Sequence, residues 1–339
     1  MTDRLSIVRI AGDGVGPELV AAGTRLLETV CGDINWIDRP AGLSTWRACG
    51  HTAPPKTLAA LRRYGLAIKG PFATPNGGAI RSANYYIRRD LDLFACLRPI
   101  PVRPERPILL VRENVEDLYG AQEEIVAPGV AHATKLATRT GCERIAQYAF
   151  DLARRAGRSH VTVVHKANNL KLTEGMFLET AYDVAMRYPD VAAREMLADT
   201  ACATLVSDPD RFDVILTSNT IGDIMSSIGG AVAGSVGLIG SLNSGPGCHV
   251  AEAGHGHAGD LAGTDRVNPV AFLRSVGLLL VATGRRAAAD AVLDGVTEAC
   301  DGGPRTLDLG GAARTSEVVE FVCRRAAELR PLRRIGSGA

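Results

Sequence analysis

The sequence predicts an α/β protein, and three observations carry that prediction. Short β-rich runs recur along the 339 residues, at 5–11, 66–69, 108–112, 161–165 and 214–217. Helical patterns lie between them, at 17–30, 57–64, 142–156, 175–188, 202–206 and 223–233. Three alanine-rich helices, at 269–283, 287–299 and 315–329, close the chain. Strands that alternate with helices bury both sheet faces and favour parallel pairing. The first run, LSIVRIA, enters a buried strand directly, and a glycine-rich turn leads to a helix opened by Pro17. Later runs such as VTVVH and DVILT are too short and too β-branched for helices. Proline breaks at Pro99-Ile100-Pro101 and Pro104 predict a domain crossing there. The stretch 119–140 has mixed polarity with Gly129 after a proline, which suits an excursion such as a dimer arm.

Composition narrows the function classes. The chain is 46% hydrophobic and 22% charged, with net charge +1, which is ordinary for a soluble domain or two. No global field draws it to nucleic acid or to a membrane, so neither is expected as a partner. No run approaches the ~18 apolar residues of a membrane span, and the N-terminus lacks a signal-peptide pattern. The eight cysteines are scattered without a C-x-x-C pair. That argues against a zinc ribbon or a disulfide framework and for reduced cysteines in the cytoplasm. Only five of the 38 basic residues are lysine (56, 69, 135, 166 and 171). In so arginine-rich a chain, a lysine marks a place where arginine will not do. That hint falls on Lys69 and Lys166.

The segment KGPFATPNGGAIRSANYYIRRDLDLFACLRP gathers Lys69, Ser82, Asn84, Arg88 and Arg98 in mostly apolar or glycine-rich sequence. Arginine forks hold carboxylates at two points, and Ser and Asn fix orientation, so the mixture suits a small polycarboxylate. Asp223 follows the apolar strand FDVILT at the start of a helix, and Asp199 stands just ahead of another. Two convergent carboxylates suit Mg²⁺ or Mn²⁺, whereas singly each is a helix cap. Lys166, at the end of a buried strand, is a candidate base. Tyr119 is either a site residue or a packing tyrosine. AGDGVGPE carries Gly12, Gly14 and Gly16 but has Pro17 at the third glycine position of a dinucleotide fingerprint. Gly254-His255-Gly256-His257-Ala258-Gly259 meets G-x-G-x-x-G, but its acidic residue, Asp260, is adjacent rather than ~20 residues on. It reads either as a loop that admits a pyrophosphate to backbone N–H groups or as a plain glycine turn.

Taken in order, GDGVGPE, KGPFATP, RSANYYIRRDLDLFACLRP, VRENVEDLY, TRTGCERIAQYAF, VVHKANNLKLTEGMF, NTIGDIM, HGHAGDLAG, VNPVAFL and DLGGAART resemble the isocitrate and isopropylmalate dehydrogenase family of NAD(P)-dependent β-decarboxylating dehydrogenases. The resemblance implies a fold that is not a true Rossmann fold. A large discontinuous α/β domain (1–98 and 235–339) would bind the cofactor, and a smaller one (99–234) would carry a clasp arm at about 119–140. It implies a homodimer whose active sites each borrow Lys166 and Asp199 from the neighbour. It implies Arg88, Arg98 and Arg112 for the malate carboxylates, and Lys69, Ser82 and Asn84 for the variable substituent. Asp223 and Asp199 would hold Mg²⁺ or Mn²⁺, Lys166 would be the base, and Tyr119 the proton donor at C3. Thr74, Asn168, Glu252, His255, Asp260, Leu261 and Asn268 would bind NAD, with Asp260 favouring NAD over a 2′-phosphorylated cofactor.

Three departures stand out. Ser227 replaces the family's second carboxylate one turn after Asp223, so it would reach a metal only weakly or through water. His257-Ala258-Gly259 replaces Ser-Ala-Pro, and Ala73 replaces a common hydroxyl residue. The expected activity is oxidative decarboxylation of a small anionic hydroxy acid, a 3-substituted malate, with isocitrate as lead. A specialised homologue acting on another anionic malate, such as phosphonomethylmalate, is the runner-up. A non-catalytic regulatory subunit is the contrasting class. Isopropylmalate is disfavoured, because an isopropyl group would leave the polar pocket unpaired.

Overall fold

The computed structural model describes residues 4–336, and the chain divides into two compact units. One is built from both chain ends, up to Leu91 and from Gly234, and the other from Asp92–Ala233. In the first unit the chain runs β1 (Leu5–Ile10), α1 (Gly16–Cys31), β2 (Ile34–Asp38), α2 (Leu43–Cys49), α3 (Pro55–Tyr64), β3 (Leu66–Lys69) and α4 (Ala83–Asp90). In the second it runs β4 (Ala95–Ile100), β5 (Ile108–Glu113), β6 (Asp117–Ala127), β7 (Val130–Leu136), α5 (Arg139–Arg155), β8 (His160–His165), α6 (Thr173–Ala185), β9 (Ala192–Leu197), α7 (Ala198–Ser207), β10 (Val214–Thr217) and α8 (Asn219–Val232). It then returns through β11 (Gly240–Gly245), β12 (Cys248–Ala253), α9 (Val270–Ala282), α10 (Arg286–Asp301) and α11 (Thr315–Gly336).

In the first unit the strands lie in the order β2-β1-β3-β12-β11, parallel except for β11, which runs antiparallel to β12. In the second the order is β4-β5-β10-β8-β9, parallel except for β4 against β5. Neither order is that of a Rossmann fold. Helix α1 buries Leu19, Val20, Leu26, Leu27 and Val30, a stripe at helical spacing, and Pro17 sits in its first turn where a missing N–H costs nothing. Helix α9 is buried on most sides, which explains why its sequence VAFLRSVGLLLVA is apolar apart from Arg274 and Ser275. Strands β6 and β7 form a separate hairpin with Ile125, Val126, Val130 and Leu136 exposed. Among the described residues, no helix is long and apolar enough to cross a membrane. All eight cysteines are free.

The structure differs from the sequence reading at several points. The chain passes from the first unit to the second at Leu91/Asp92, and Pro99 lies inside β4 rather than at a break. Asp223 does not start its helix. Helix α8 opens at Asn219, so Asp223 sits in its second turn. Asp199 likewise lies within the first turn of α7. Strands β2, β4, β9, β11 and β12 were not expected, because charged, proline-bearing or glycine-rich runs such as INWID, ACLRPI and GSLNSG lack a clear apolar period.

Candidate functional site

The second unit assembles a charged cluster around Asp223. Arg98 on β4 and Arg112 on β5 are lone arginines in apolar strands, and both are almost fully buried. Arg112 bonds Asp223 Oδ1 through NH1, and Arg98 NH1 donates to the same oxygen at 3.2 Å. Neighbouring groups hold the two guanidiniums in place. Arg112 Nε and NH2 both donate to Asn219 Oδ1, at 3.1 and 2.7 Å, and Arg98 NH1 donates to Ser226 Oγ at 2.6 Å. The Tyr119 hydroxyl donates to Asp223 Oδ2 at 3.4 Å, with its ring against the Arg112 guanidinium. Tyr119 is about half exposed, so it is not a packing tyrosine. Partial burial and the Asp223 carboxylate push its phenol above the ordinary range, which keeps it a proton donor at neutral pH. Asn219 and Ser226 complete this cluster without having been foreseen. Their signal in the sequence is helical spacing, with Asp223 four residues after Asn219 and three before Ser226.

Lys166 and Asp199 meet each other. Lys166 follows β8, and its Nζ lies 2.5 Å from Asp199 Oδ1, a bond that holds the Asp199 carboxyl below its ordinary value. Both side chains are accessible, and Asn168 stands exposed in the turn just beyond. Ser227, one turn after Asp223, donates its hydroxyl to the Asp223 carbonyl oxygen at 3.2 Å.

In the first unit the organising group is the buried Glu252 on β12. Its Oε2 is paired with Lys69, and its Oε1 accepts from Asn243 Nδ2 at 2.7 Å and Arg88 NH2 at 3.1 Å. Lys69 also lies 4.4 Å from the centre of the Phe72 ring. The buried lysine thus has a carboxylate and an aromatic face as partners. Ser82 caps α4, accepting from Asn84 N at 3.2 Å. Helix α4 then presents Asn84 and Arg88 one turn apart. Asn84 Oδ1 and Arg88 Nε are buried without a hydrogen-bond partner among the described residues, as expected for groups that face a polar ligand.

The two glycine segments are adjacent in this unit. Val15 N donates to the His257 carbonyl oxygen at 3.0 Å. Gly14 has φ +58°, and a Cβ there would sit 2.0 Å from that oxygen, so only glycine allows the contact. Asp13 acts as a staple. It accepts from Leu43 N at 2.8 Å, Ser44 N at 3.1 Å and Ala73 N at 3.0 Å, tying its own loop to the start of α2 and to the loop after β3. His255 Nδ1 donates to the Gly256 carbonyl oxygen at 3.0 Å, and burial keeps the imidazole below its ordinary pKa. Its Nε2 is therefore a bare acceptor, buried without a partner among the described residues. That orphan fits a hydroxyl or amino donor of a nucleotide. Asp260 is exposed on the 3₁₀ turn Gly259–Leu261, with Leu261 half-buried beside it. Asn268 is held by Asp308, to which its Nδ2 donates at 2.9 Å, and its Oδ1 accepts from Val270 N at 3.0 Å. Thr74 is exposed.

Among the described residues no three His, Cys, Asp or Glu side chains come together as a metal cage. Asp223 supplies one hard carboxylate, which fits an ion of the Mg²⁺ type, bound by one or two carboxylates and completed by substrate and water.

Comparison with known proteins adds independent findings. Residues 6–322 match the family model described as isocitrate/isopropylmalate dehydrogenase. The mitochondrial isocitrate dehydrogenase [NAD] subunit alpha of Bos taurus is 34% identical over 337 residues, which cover 96% of this chain and 91% of the relative. The mitochondrial isocitrate dehydrogenase [NAD] catalytic subunit 5 of Arabidopsis thaliana is 34% identical over 331 residues, 95% of this chain and 88% of that one. The crystal structure of isocitrate dehydrogenase from Methylococcus capsulatus superposes with a TM-score of 0.86 at 34% identity, covering 95% of this chain and 99% of that one.

Proposed function

The chain belongs to the isocitrate/isopropylmalate dehydrogenase family of NAD-dependent decarboxylating dehydrogenases, and on that premise we propose that it oxidatively decarboxylates a 3-substituted malate, using a divalent metal, with isocitrate as lead substrate. The observation that carries the reading is the Arg98–Arg112–Asp223–Tyr119 cluster. It combines two fixed guanidiniums for carboxylates, a carboxylate for a hard cation, and a phenol held protonated.

Arg98 and Arg112 hold the malate carboxylates, as does Arg88, while Ser82 and Asn84 read the substituent. Lys69 serves that end of the substrate through Glu252, which it shares with Arg88. Asp223, with Asp199 of the partner subunit, binds Mg²⁺ or Mn²⁺, and Ser227 contributes at most through water. Lys166 of the partner subunit takes the 2-hydroxyl proton. When bound, NAD would supply the acceptor for the C2 hydride, and the divalent metal a Lewis acid for the ketone oxygen that eases loss of CO₂. Tyr119 delivers the proton at C3. His255, Asp260 and Leu261, together with Thr74 and Asn168, line the cofactor, while Glu252 and Asn268, committed to Lys69, Arg88 and Asn243 and to Asp308, support that region from behind. Asp260 supports NAD, since a carboxylate there accepts from a ribose hydroxyl and repels a 2′-phosphate. The exposed β6–β7 hairpin supports a homodimer clasp, and the eight free cysteines support a cytoplasmic enzyme. Retention of Tyr119, Lys166, Asp199 and Asp223 speaks against a regulatory subunit without activity.

The test is NADH formation by the purified chain with Mn²⁺ and isocitrate, phosphonomethylmalate, homoisocitrate, isopropylmalate, tartrate or malate. The highest rate is expected on isocitrate. Preference for phosphonomethylmalate, with isocitrate poor, moves the enzyme to the specialised reading. Silence on every substrate overturns catalysis by this chain alone.

A further inference from the structure

Lys135 lies on β7 at the root of the exposed hairpin, yet its side chain is only 14% exposed. Its ammonium bonds Asp117 and, at 2.8 Å, Glu174 Oε1. Both carboxylates are sealed from solvent, at 3% and 1% exposure. The second oxygen of each reaches a backbone N–H elsewhere. Glu174 Oε2 accepts from Lys166 N at 3.0 Å, and Asp117 Oδ2 accepts from Thr220 N at 2.8 Å. Asp117 Oδ1 also accepts from Leu118 N at 2.8 Å.

The two outer contacts fall at chemically sensitive points. Thr220 is the second residue of α8, and the helix's own N-cap, Ser218, makes no side-chain capping bond. Asp117 supplies that bond from another element, and so sets the first turn of the helix that carries Asp223. Lys166 is the first residue past β8, where the sheet no longer holds the backbone, and Glu174 fixes its N–H. Two buried carboxylates this close need a cation between them. A compact ammonium with three rotatable donors can meet both from one point.

We propose that Lys135 is a positioning residue: one ammonium holds Asp117 and Glu174, which fix the main chain beneath Asp223 and Lys166. This rests on the roles given above to Asp223 and Lys166. A cation at the hairpin root thereby ties the hairpin to both the metal-binding and the proton-accepting positions of its own chain.

The test compares wild type, K135Q, D117N, E174Q and K135Q/E174Q. Mn²⁺ binding is measured by EPR without substrate, and kcat and the KM for NAD are measured with the best malate. K135Q is expected to weaken Mn²⁺ binding and to lower kcat by about 10- to 100-fold, the range for groups that orient metal ligands. Its KM for NAD should stay within about twofold. D117N should move Mn²⁺ binding more than E174Q does, and E174Q should act mainly on kcat. The double variant should be little worse than K135Q, because the two groups act as one unit. A smaller folded fraction alone would reduce the number of Mn²⁺ sites without changing their affinity, and that outcome overturns the proposal. So does a K135Q enzyme within about threefold of wild type in both kcat and Mn²⁺ affinity. Should K135Q not fold, D117N and E174Q conserve volume and carry the test, and wild-type behaviour in both overturns it. If wild type turns over no malate, the functional reading fails. Mn²⁺ affinity in K135Q and D117N still decides whether Lys135 positions Asp223.

Discussion

Replacing Glu113 by glutamine should flatten the pH dependence of stability. Glu113 ends β5 and is 5% exposed. Its carboxylate accepts from Val115 N at 2.8 Å and from Glu116 N at 3.1 and 3.0 Å, shaping the turn that leads to Tyr119. Burial pushes its carboxyl up from the ordinary 4.5 to about 7, against the pull of those backbone bonds. Below pH 4.5 both folded and unfolded chains carry the proton, and the full stability is present. Between 4.5 and about 7 only the folded chain keeps it, so stability falls as pH rises. Above about 7 the whole cost of burying the charge is felt. At 1.36 kcal/mol per unit, the rise corresponds to about 3 kcal/mol. Glutamine keeps an acceptor for the same N–H groups but does not titrate. Urea denaturation of both proteins from about pH 5 to about pH 8 should therefore show the variant gaining on wild type by about 2.5 kcal/mol, the part of that cost that falls inside the window. Parallel pH profiles would refute the reasoning and mean that Glu113 ionises as it does in water.

Ser227→Asp places a second carboxylate one turn from Asp223 and should lower the Mn²⁺ concentration for half-maximal rate by about tenfold, as a charged ligand replaces a hydroxyl. An unchanged value would put residue 227 beyond the metal's reach. Gly14→Ala forces a Cβ toward the His257 carbonyl oxygen, at a position with φ +58°. The left-handed backbone alone costs about 1–2 kcal/mol, so the loop around His255 should shift. The KM for NAD should rise while Mn²⁺ affinity holds. Normal NAD kinetics would show that the loop contact plays no part in cofactor binding.

The sequence located individual residues better than the bonds among them. Arg98 was legible in a segment that gathers cations with Ser and Asn, Arg112 only through the family resemblance, and Asp223 because it follows an apolar strand. That both arginines share one carboxylate oxygen was not legible, since β4, β5 and α8 meet only in three dimensions. Lys69 shows the same limit. Its burial could be read from LAIK, but Glu252, its partner, arrives on a strand far along the chain. Asp13 was hidden among glycines that fail the dinucleotide fingerprint, and its backbone partners at Leu43, Ser44 and Ala73 lie far along the chain. Lys135 was visible as one of five lysines in an arginine-rich chain. Nothing local marked it, because Asp117 and Glu174 come from elements on either side of it. Strands β2, β4 and β11 stayed hidden because their charged, proline-bearing or glycine-rich runs show no apolar period.

The anchoring of Arg98 and Arg112 bears on how an anion is recognised. A guanidinium on a flexible stem surrenders up to ~2 kcal/mol of rotamer entropy when it grips a ligand. Here Asn219, Ser226 and Asp223 have already removed that freedom during folding. A carboxylate that arrives meets two forks of fixed direction, and its affinity depends on shape and charge rather than on ordering the protein. Asp223 acts as a resident counter-ion for both arginines, so an entering cation at the carboxylate and an entering anion at the guanidiniums each offset charge in the same triangle. Each should therefore strengthen the other's binding, by the same factor in both directions.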